Sequence, residues 1–214
     1  HRWYGILSPV KIDLKPQLTL STGLDLRYYK GDHYRKIYDL LGGTGVRVSG
    51  ASRIYVEGDT VDYNYSGFVR WAGAFGLLEY THRNLSTFIN ISGSVVGYKA
   101  KDYMKGLLNP DAITSLGWID IPGFTVKGGA SYNLSERHSI YFNAGYLSKA
   151  QRYNNVLNIN RFGKNLLKFN DYDNEIIKAL EIGYKYRSGS FSANLNTYLT
   201  HWENKPLDNT PLVA

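Results

Sequence analysis

Side chains that could do chemistry are thinly spread along this 214-residue chain. Its five histidines stand at positions 1, 33, 82, 138 and 201, and no two share a spacing that would set paired imidazoles on one metal ion. His82 and His138 read as solvated turn residues, because neither has a partner group beside it. The run Asn170-Asp171-Tyr172-Asp173-Asn174-Glu175 places oxygen donors at calcium-like intervals. It lacks the mid-loop glycine and the glutamate at twelve of an EF-hand, so a loop calcium site and a solvated strand entrance both stay open. Asp102, Asp111, Asp120 and Ser115 could in principle supply a carboxylate pair or a serine nucleophile. Nothing in their spacing fixes a base against a nucleophile, and the chain is not expected to be an enzyme. The stretch from Gly42 to Gly50 echoes a phosphate loop, but it follows a helical pattern and lacks the Lys-Ser/Thr ending. With no cysteine there is neither a disulfide framework nor thiolate chemistry, and no cofactor is implied.

Binding is better represented than catalysis. Tyr29, Tyr34, Tyr38, Trp118 and Tyr153 could face a ligand and hold it by stacking or hydrogen bonds. A second set, Asp25, Arg27, Lys127, Glu181 and Lys185, is charged yet lies inside stretches that otherwise alternate with apolar residues. The net charge of +7 comes from scattered rather than clustered Lys and Arg, which argues against nucleic acid as a partner.

Those residues are carried by strands with two unlike faces. From Lys178 to Trp202, Leu180, Ile182, Tyr184 and Tyr186 alternate with Glu181, Gly183 and Lys185. After the turn Arg187-Ser188-Gly189-Ser190, Phe191, Ala193, Leu195, Thr197 and Leu199 alternate with Ser192, Asn194, Asn196, Tyr198 and Thr200. Period two around a glycine turn predicts an antiparallel hairpin. The same alternation predicts strands over Trp3–Leu14, Leu18–Tyr29, Phe68–Tyr80, Ser86–Lys101, Phe124–Leu134 and Ser139–Lys149. Asp32 to Leu41, with apolar residues at Tyr34, Ile37, Tyr38 and Leu41, predicts a helix stopped by Gly42-Gly43. Asp102 to Gly123, Trp118 included, is predicted to be loop, with Asn109-Pro110 as a turn signal.

Short connections alternate strictly with three long ones in this reading. That rhythm belongs to a transmembrane barrel with tight periplasmic turns and long extracellular loops, whereas a sandwich sends long loops to both ends. The fold class expected is therefore all-β: an antiparallel transmembrane β-barrel, about eight strands of a larger barrel. No apolar run reaches the length of a membrane-spanning helix. A mean hydropathy of -0.34 suits strands that are polar on alternate residues. The apolar face would then meet outer-membrane lipid, with Asp25, Arg27, Lys127, Glu181 and Lys185 facing the lumen. Tyr186 and Phe191 would sit in an aromatic girdle beside a short turn, and tyrosine at barrel rims is equally a structural choice.

The segments DLRYYKGDHYRKIYDLLGG (25–43), FVRWAGAFGLLEY (68–80), GFTVKGGASYNLSERHSIYFNAGYLSKAQRYNNV (123–156) and EIIKALEIGYKYRSGSFSANLNTYLTHWENKP (175–206), in this order, resemble the barrel of TonB-dependent outer-membrane receptors of the Bacteroidota type. The resemblance covers nearly the whole chain. It implies a 22-stranded barrel of which residues 1–214 are a part, a plug domain not recognisable here, and uptake of a scarce nutrient of siderophore, cobalamin or glycan type. Its implied partners are the remainder of the barrel and the plug, a TonB-type energy transducer acting through that plug, and a surface lipoprotein. His1 is preceded by no initiator methionine or signal pattern, so a piece of a longer protein is expected. A self-contained eight-stranded barrel with a structural or adhesion role, and a rim-site enzyme, are the other readings.

Overall fold

The computed structural model describes residues 1–47, 53–104, 113–158, 167–168 and 173–205. In chain order its elements are β1 (Arg2–Lys15), β2 (Leu18–Lys36), β3 (Val46–Arg47), β4 (Ile54–Tyr55), β5 (Thr60–His82), β6 (Leu85–Asp102), β7 (Ser115–Asn133), β8 (His138–Lys149), one helical turn α1 (Tyr153–Val156), β9 (Leu157–Asn158), β10 (Leu167–Lys168), β11 (Glu175–Ser188) and β12 (Phe191–Glu203). The eight long strands form one sheet in the order β1-β2-β5-β6-β7-β8-β11-β12, each antiparallel to its neighbour. The fold is all-β, and all eight strands predicted from alternation are present. Among the described residues β1 and β12 share no ladder, so the sheet has two free edges.

The connections follow the predicted rhythm. Residues 16–17, 83–84, 134–137 and 189–190 close four short turns at one end. Arg83 (φ 50°) and Gly189 (φ 49°) adopt the left-handed backbone that tight hairpins need. At the other end run 37–59, 103–114 and 150–174, the first carrying the β3–β4 pair and the last carrying α1 and the β9–β10 pair.

Cross-strand register makes the two faces continuous. Ile6, Leu26, Ala72 and Val95 lie in one row, and Leu20, Leu78, Ile89 and Gly128 in another. Farther along the sheet, Phe142, Ile182 and Thr197 form a third. This face carries no charged residue over Leu18–Tyr28 of β2, Ala72–Tyr80 of β5, Thr87–Gly97 of β6, Pro122–Tyr132 of β7 or Leu180–Tyr186 of β11. Its large side chains are open: Leu24 is 56% exposed, Ile182 62% and Leu195 73%.

The second face is mixed. Near the short turns and mid-sheet polar and charged residues alternate there with Leu7, Phe75, Leu77 and Phe88. Toward the long connections Val96, Tyr98, Ala100 and Ile121 are buried under Val156 and Leu157, with Val69, Ile119 and Tyr153 packed around them. The main buried cluster thus lies between the sheet and the segment from Ala150 to Leu157.

Two predictions are corrected. Asp32–Leu41 is not a helix: β2 runs on to Lys36, paired with β5 through Tyr34↔Asn64 and Lys36↔Thr60. A bulge between Tyr34 and Arg35 is matched by Asp62 at φ 66°. Ser115 to Gly123 is not loop either, but the first half of β7, so Trp118 and Asp120 stand on a strand. Pro122 pairs with Val95 while the β7–β8 ladder stops at Phe124↔Ser148. The proline therefore sits where β7 has a neighbour on one side only, a position it tolerates. The Asn109-Pro110 turn, Asp111, Asn170-Asp171-Tyr172 and the ends of the glycine-rich and C-terminal stretches fall outside the described residues.

Candidate functional site

The five charged residues predicted to share a face do so. Asp25, Arg27, Lys127, Glu181 and Lys185 all project from the second face, as their register partners Gly73, Trp71, Asn90, Asn143 and Asn194 require. They fall into two groups. Arg27 makes a bidentate pair with Asp25, two residues earlier on the same side, at 2.7 and 2.6 Å. Glu181 accepts hydrogen bonds from Asn143 at 3.0 Å, Tyr141 at 3.3 Å and Asn196 at 3.3 Å, a carboxylate held by the strands on either side of its own. The Lys185 ammonium lies 4.9 Å from the centre of the Tyr141 ring. That ring covers Gly183: a Cβ there would come within 2.1 Å of it, so only glycine leaves room for the tyrosine to lie flat between Glu181 and Lys185.

The predicted ligand-facing aromatics scatter. Tyr29 is on the second face, edge-on to Trp3 at 6.0 Å, and the nearby His33 ring stacks on Tyr65 at 4.9 Å. His33, though not Tyr29, borders an open recess of about 430 Å³ that His1, Asp32, Tyr34 and Tyr63 also line. Tyr34 reaches that recess from the opposite side of β2, and Tyr38, 91% exposed, stands alone beyond the strand. Tyr153, the first residue of α1, packs against Tyr98 at 5.6 Å and closes over Gly67. Its phenol donates to the Lys99 carbonyl at 3.3 Å, and burial pushes its pKa well above the ordinary tyrosine value. Tyr153 therefore acts as packing. Trp118 is on the apolar face, not in a loop, its ring 6.5 Å from Phe68 and 4.5 Å from the Arg70 guanidinium.

Two features were not singled out in the sequence. Gln151 is buried and ties three segments: its side-chain amide donates to the Asp173 and Asn204 carbonyls, both at 2.8 Å, while its backbone carbonyl accepts from the Tyr98 hydroxyl at 2.9 Å. Arg70 reaches Asp120 at 3.1 and 2.5 Å across the intervening β6. The crossing exists because β6 offers Gly97 there; a Cβ would lie 2.3 Å from an Asp120 oxygen and 2.7 Å from Arg70. No periodicity marks either residue, since each is set by partners remote in the chain.

The chemical candidates are otherwise engaged. Asp102 accepts from the Met104 amide at 2.8 Å, Asp120 holds Arg70, and Glu175 pairs with Lys149 at 3.3 Å. Asn174 donates to the Pro122 carbonyl at 2.7 Å. Among the described residues no cluster of three or more His, Asp or Glu could hold a metal ion. The second face can bind by stacking, hydrogen bonding and charge. Comparison with known protein families gives no match, and comparison with curated proteins gives none either.

Proposed function

We propose that this chain is part of the barrel of a TonB-dependent outer-membrane receptor that takes up a scarce nutrient, its apolar face against lipid and its second face lining the lumen. The observation that carries the membrane half of this reading is the charge-free face running across the sheet. Ten residue steps separate Leu18 from Tyr28 on β2. At about 3.4 Å per residue and a tilt near 45°, that spans roughly 24 Å, matching the apolar band of outer-membrane barrels. The boundary slants as tilted strands demand: the row through Thr22 is uncharged in β2 yet reaches Lys178 in β11. Tyr80, Tyr132, Tyr184, Tyr186 and Phe191 stand near the short-turn end, where an aromatic girdle belongs.

The receptor half rests on the order of the resembling segments and on the free edges. An eight-stranded barrel would pair β1 with β12, and its lumen would be filled by side chains. Edges left free at β1 and β12 favour a wider barrel with room for a plug and a ligand. The loop segment carrying α1, folded onto the second face, fits a loop dipping into such a lumen. The siderophore, cobalamin and glycan classes all fit a mixed aromatic and polar lining.

Topology and uptake test this together. An epitope inserted at Gly189 should be hidden on intact cells, and one inserted at Gly42 should be reached by antibody. Deleting the gene should abolish growth on one scarce nutrient, as should removing the energy transducer. Labelling of both epitopes, or uptake that survives loss of the transducer, refutes the receptor.

A further inference from the structure

At the long-connection end of the apolar face the first charges above the band are almost all basic. One row runs Arg2, Lys30, Phe68, Lys99 across β1, β2, β5 and β6. Lys30 and Lys99 flank the same ring, their ammonium groups 5.7 and 5.6 Å from the Phe68 centroid. Arg70 lies one row below and Lys101 one row above. Among the described residues two carboxylates offset these five cations: Asp32, 3.2 Å from Lys30, and Asp120, already bound to Arg70. Ser66 and Tyr103 share Asp32's side, the Ser66 hydroxyl donating to its carboxylate at 2.5 Å.

Arg2 and Lys30 are directly opposed on adjacent strands, a like-charge placement that costs stability unless an anion sits between or over the pair. Lys99 has no carboxylate among the described residues within ion-pair distance. Neighbouring strands lie about 4.8 Å apart, so the row offers cations at intervals that phosphate oxygens can bridge. Phe68 and Trp118, in the same patch, give the apolar footing that a headgroup with acyl chains requires and a free anion does not.

We propose that this patch is a docking surface for the phosphate-bearing headgroup of an outer-leaflet glycolipid, its acyl chains lying down the apolar face below. The proposal rests on the membrane-barrel reading, and it adds a specific anionic lipid contact on the outside of the wall. The charge-free band fixes which side of the wall the patch occupies, and the long connections fix which leaflet. Lys30 and Lys99 supply the bridging charges, with Arg2 and Lys101 beside them. Arg70, held by Asp120 over Gly97, braces Trp118 at the patch edge.

The test uses the full-length protein in detergent, with purified lipid A as probe and bound lipid counted by native mass spectrometry. Lys30→Ala with Lys99→Ala should weaken binding about thirtyfold, at roughly fivefold per basic residue facing an anionic surface. Lys30→Arg with Lys99→Arg should stay within threefold. Lipid A stripped of its phosphates should bind at least tenfold more weakly, and inorganic phosphate at equal concentration should not displace the intact lipid. Binding by the double alanine variant within twofold of the parent overturns the proposal. So does an equal loss from Lys127→Ala with Lys185→Ala on the opposite face, or displacement by inorganic phosphate. Outer-membrane fractionation of the parent separates the two claims: a chain absent from that membrane sinks the barrel reading, and a chain present there without phosphate-dependent lipid binding sinks only this one.

Discussion

At the scale of single residues the deciding question is which solvent the apolar face meets. Leu24 lies midway along the charge-free part of β2 and is 56% exposed. In water, replacing it by arginine removes an exposed leucine and costs almost nothing. In hydrocarbon the same change costs about 2–4 kcal/mol at mid-depth. Leu24→Arg should therefore lower the unfolding free energy in lipid vesicles by that amount, while Ser92→Arg on the other face changes it by less than about 1 kcal/mol. Equal tolerance of the two by urea titration in vesicles would remove the bilayer from the account. Much of this face was legible beforehand, because Leu20, Leu24 and Leu26 announce themselves by period alone. The charged set Asp25, Arg27, Lys127, Glu181 and Lys185 was legible for the same reason. Trp118 was misread because Gly117, Pro122 and Gly123 look like loop, and only pairing with β6 makes the segment a strand. Gln151 and Gly97 give no local sign: what they do depends on segments more than twenty residues away.

Among elements, the segment Ala150–Leu157 is the one whose role the structure changes. It was predicted as loop with Tyr153 free to meet a ligand, and it is the cover of the buried cluster. Val156 and Leu157 are fully buried there, and Tyr153 seats against Tyr98 and Gly67. The Tyr153 hydrogen bond is long at 3.3 Å, so the ring rather than the hydroxyl does the holding. Tyr153→Phe should leave amide exchange across 150–158 within twofold of the parent. Tyr153→Ala, which removes a packed aromatic worth about 3 kcal/mol, should speed it by roughly a hundredfold. The reverse ranking, measured by hydrogen-exchange mass spectrometry, would make the hydroxyl the anchor. The failed helix at Asp32–Leu41 belongs at this scale too. Tyr34, Ile37, Tyr38 and Leu41 satisfy helical spacing, yet the backbone as far as Lys36 takes its partners from Thr60–Asn64, which no local pattern reveals.

For the molecule as a whole, the question is closure. Introduced thiols report cleanly here because the chain has no cysteine. A cysteine at Ile6 combined in turn with cysteines from Asn194 to Thr200 should form no internal disulfide in the full-length protein. A high-yield disulfide at any pairing would make this a closed eight-stranded barrel, since bridged Cα atoms must lie within about 7 Å.

The free edges also bear on how such a sheet comes to be assembled. Each long strand pairs only with its neighbours in the chain, so it can zip hairpin by hairpin with little loop entropy to overcome. The outer edges of β1 and β12 escape that economy. Each presents a row of amide and carbonyl groups that water can serve, but that hydrocarbon would leave bare at several kcal/mol apiece. In a bilayer the meander can therefore be ordered before its flanks are joined, but it cannot be immersed before then. On the membrane-barrel reading, immersion of the sheet and the pairing of its β1 and β12 edges would have to be a single event.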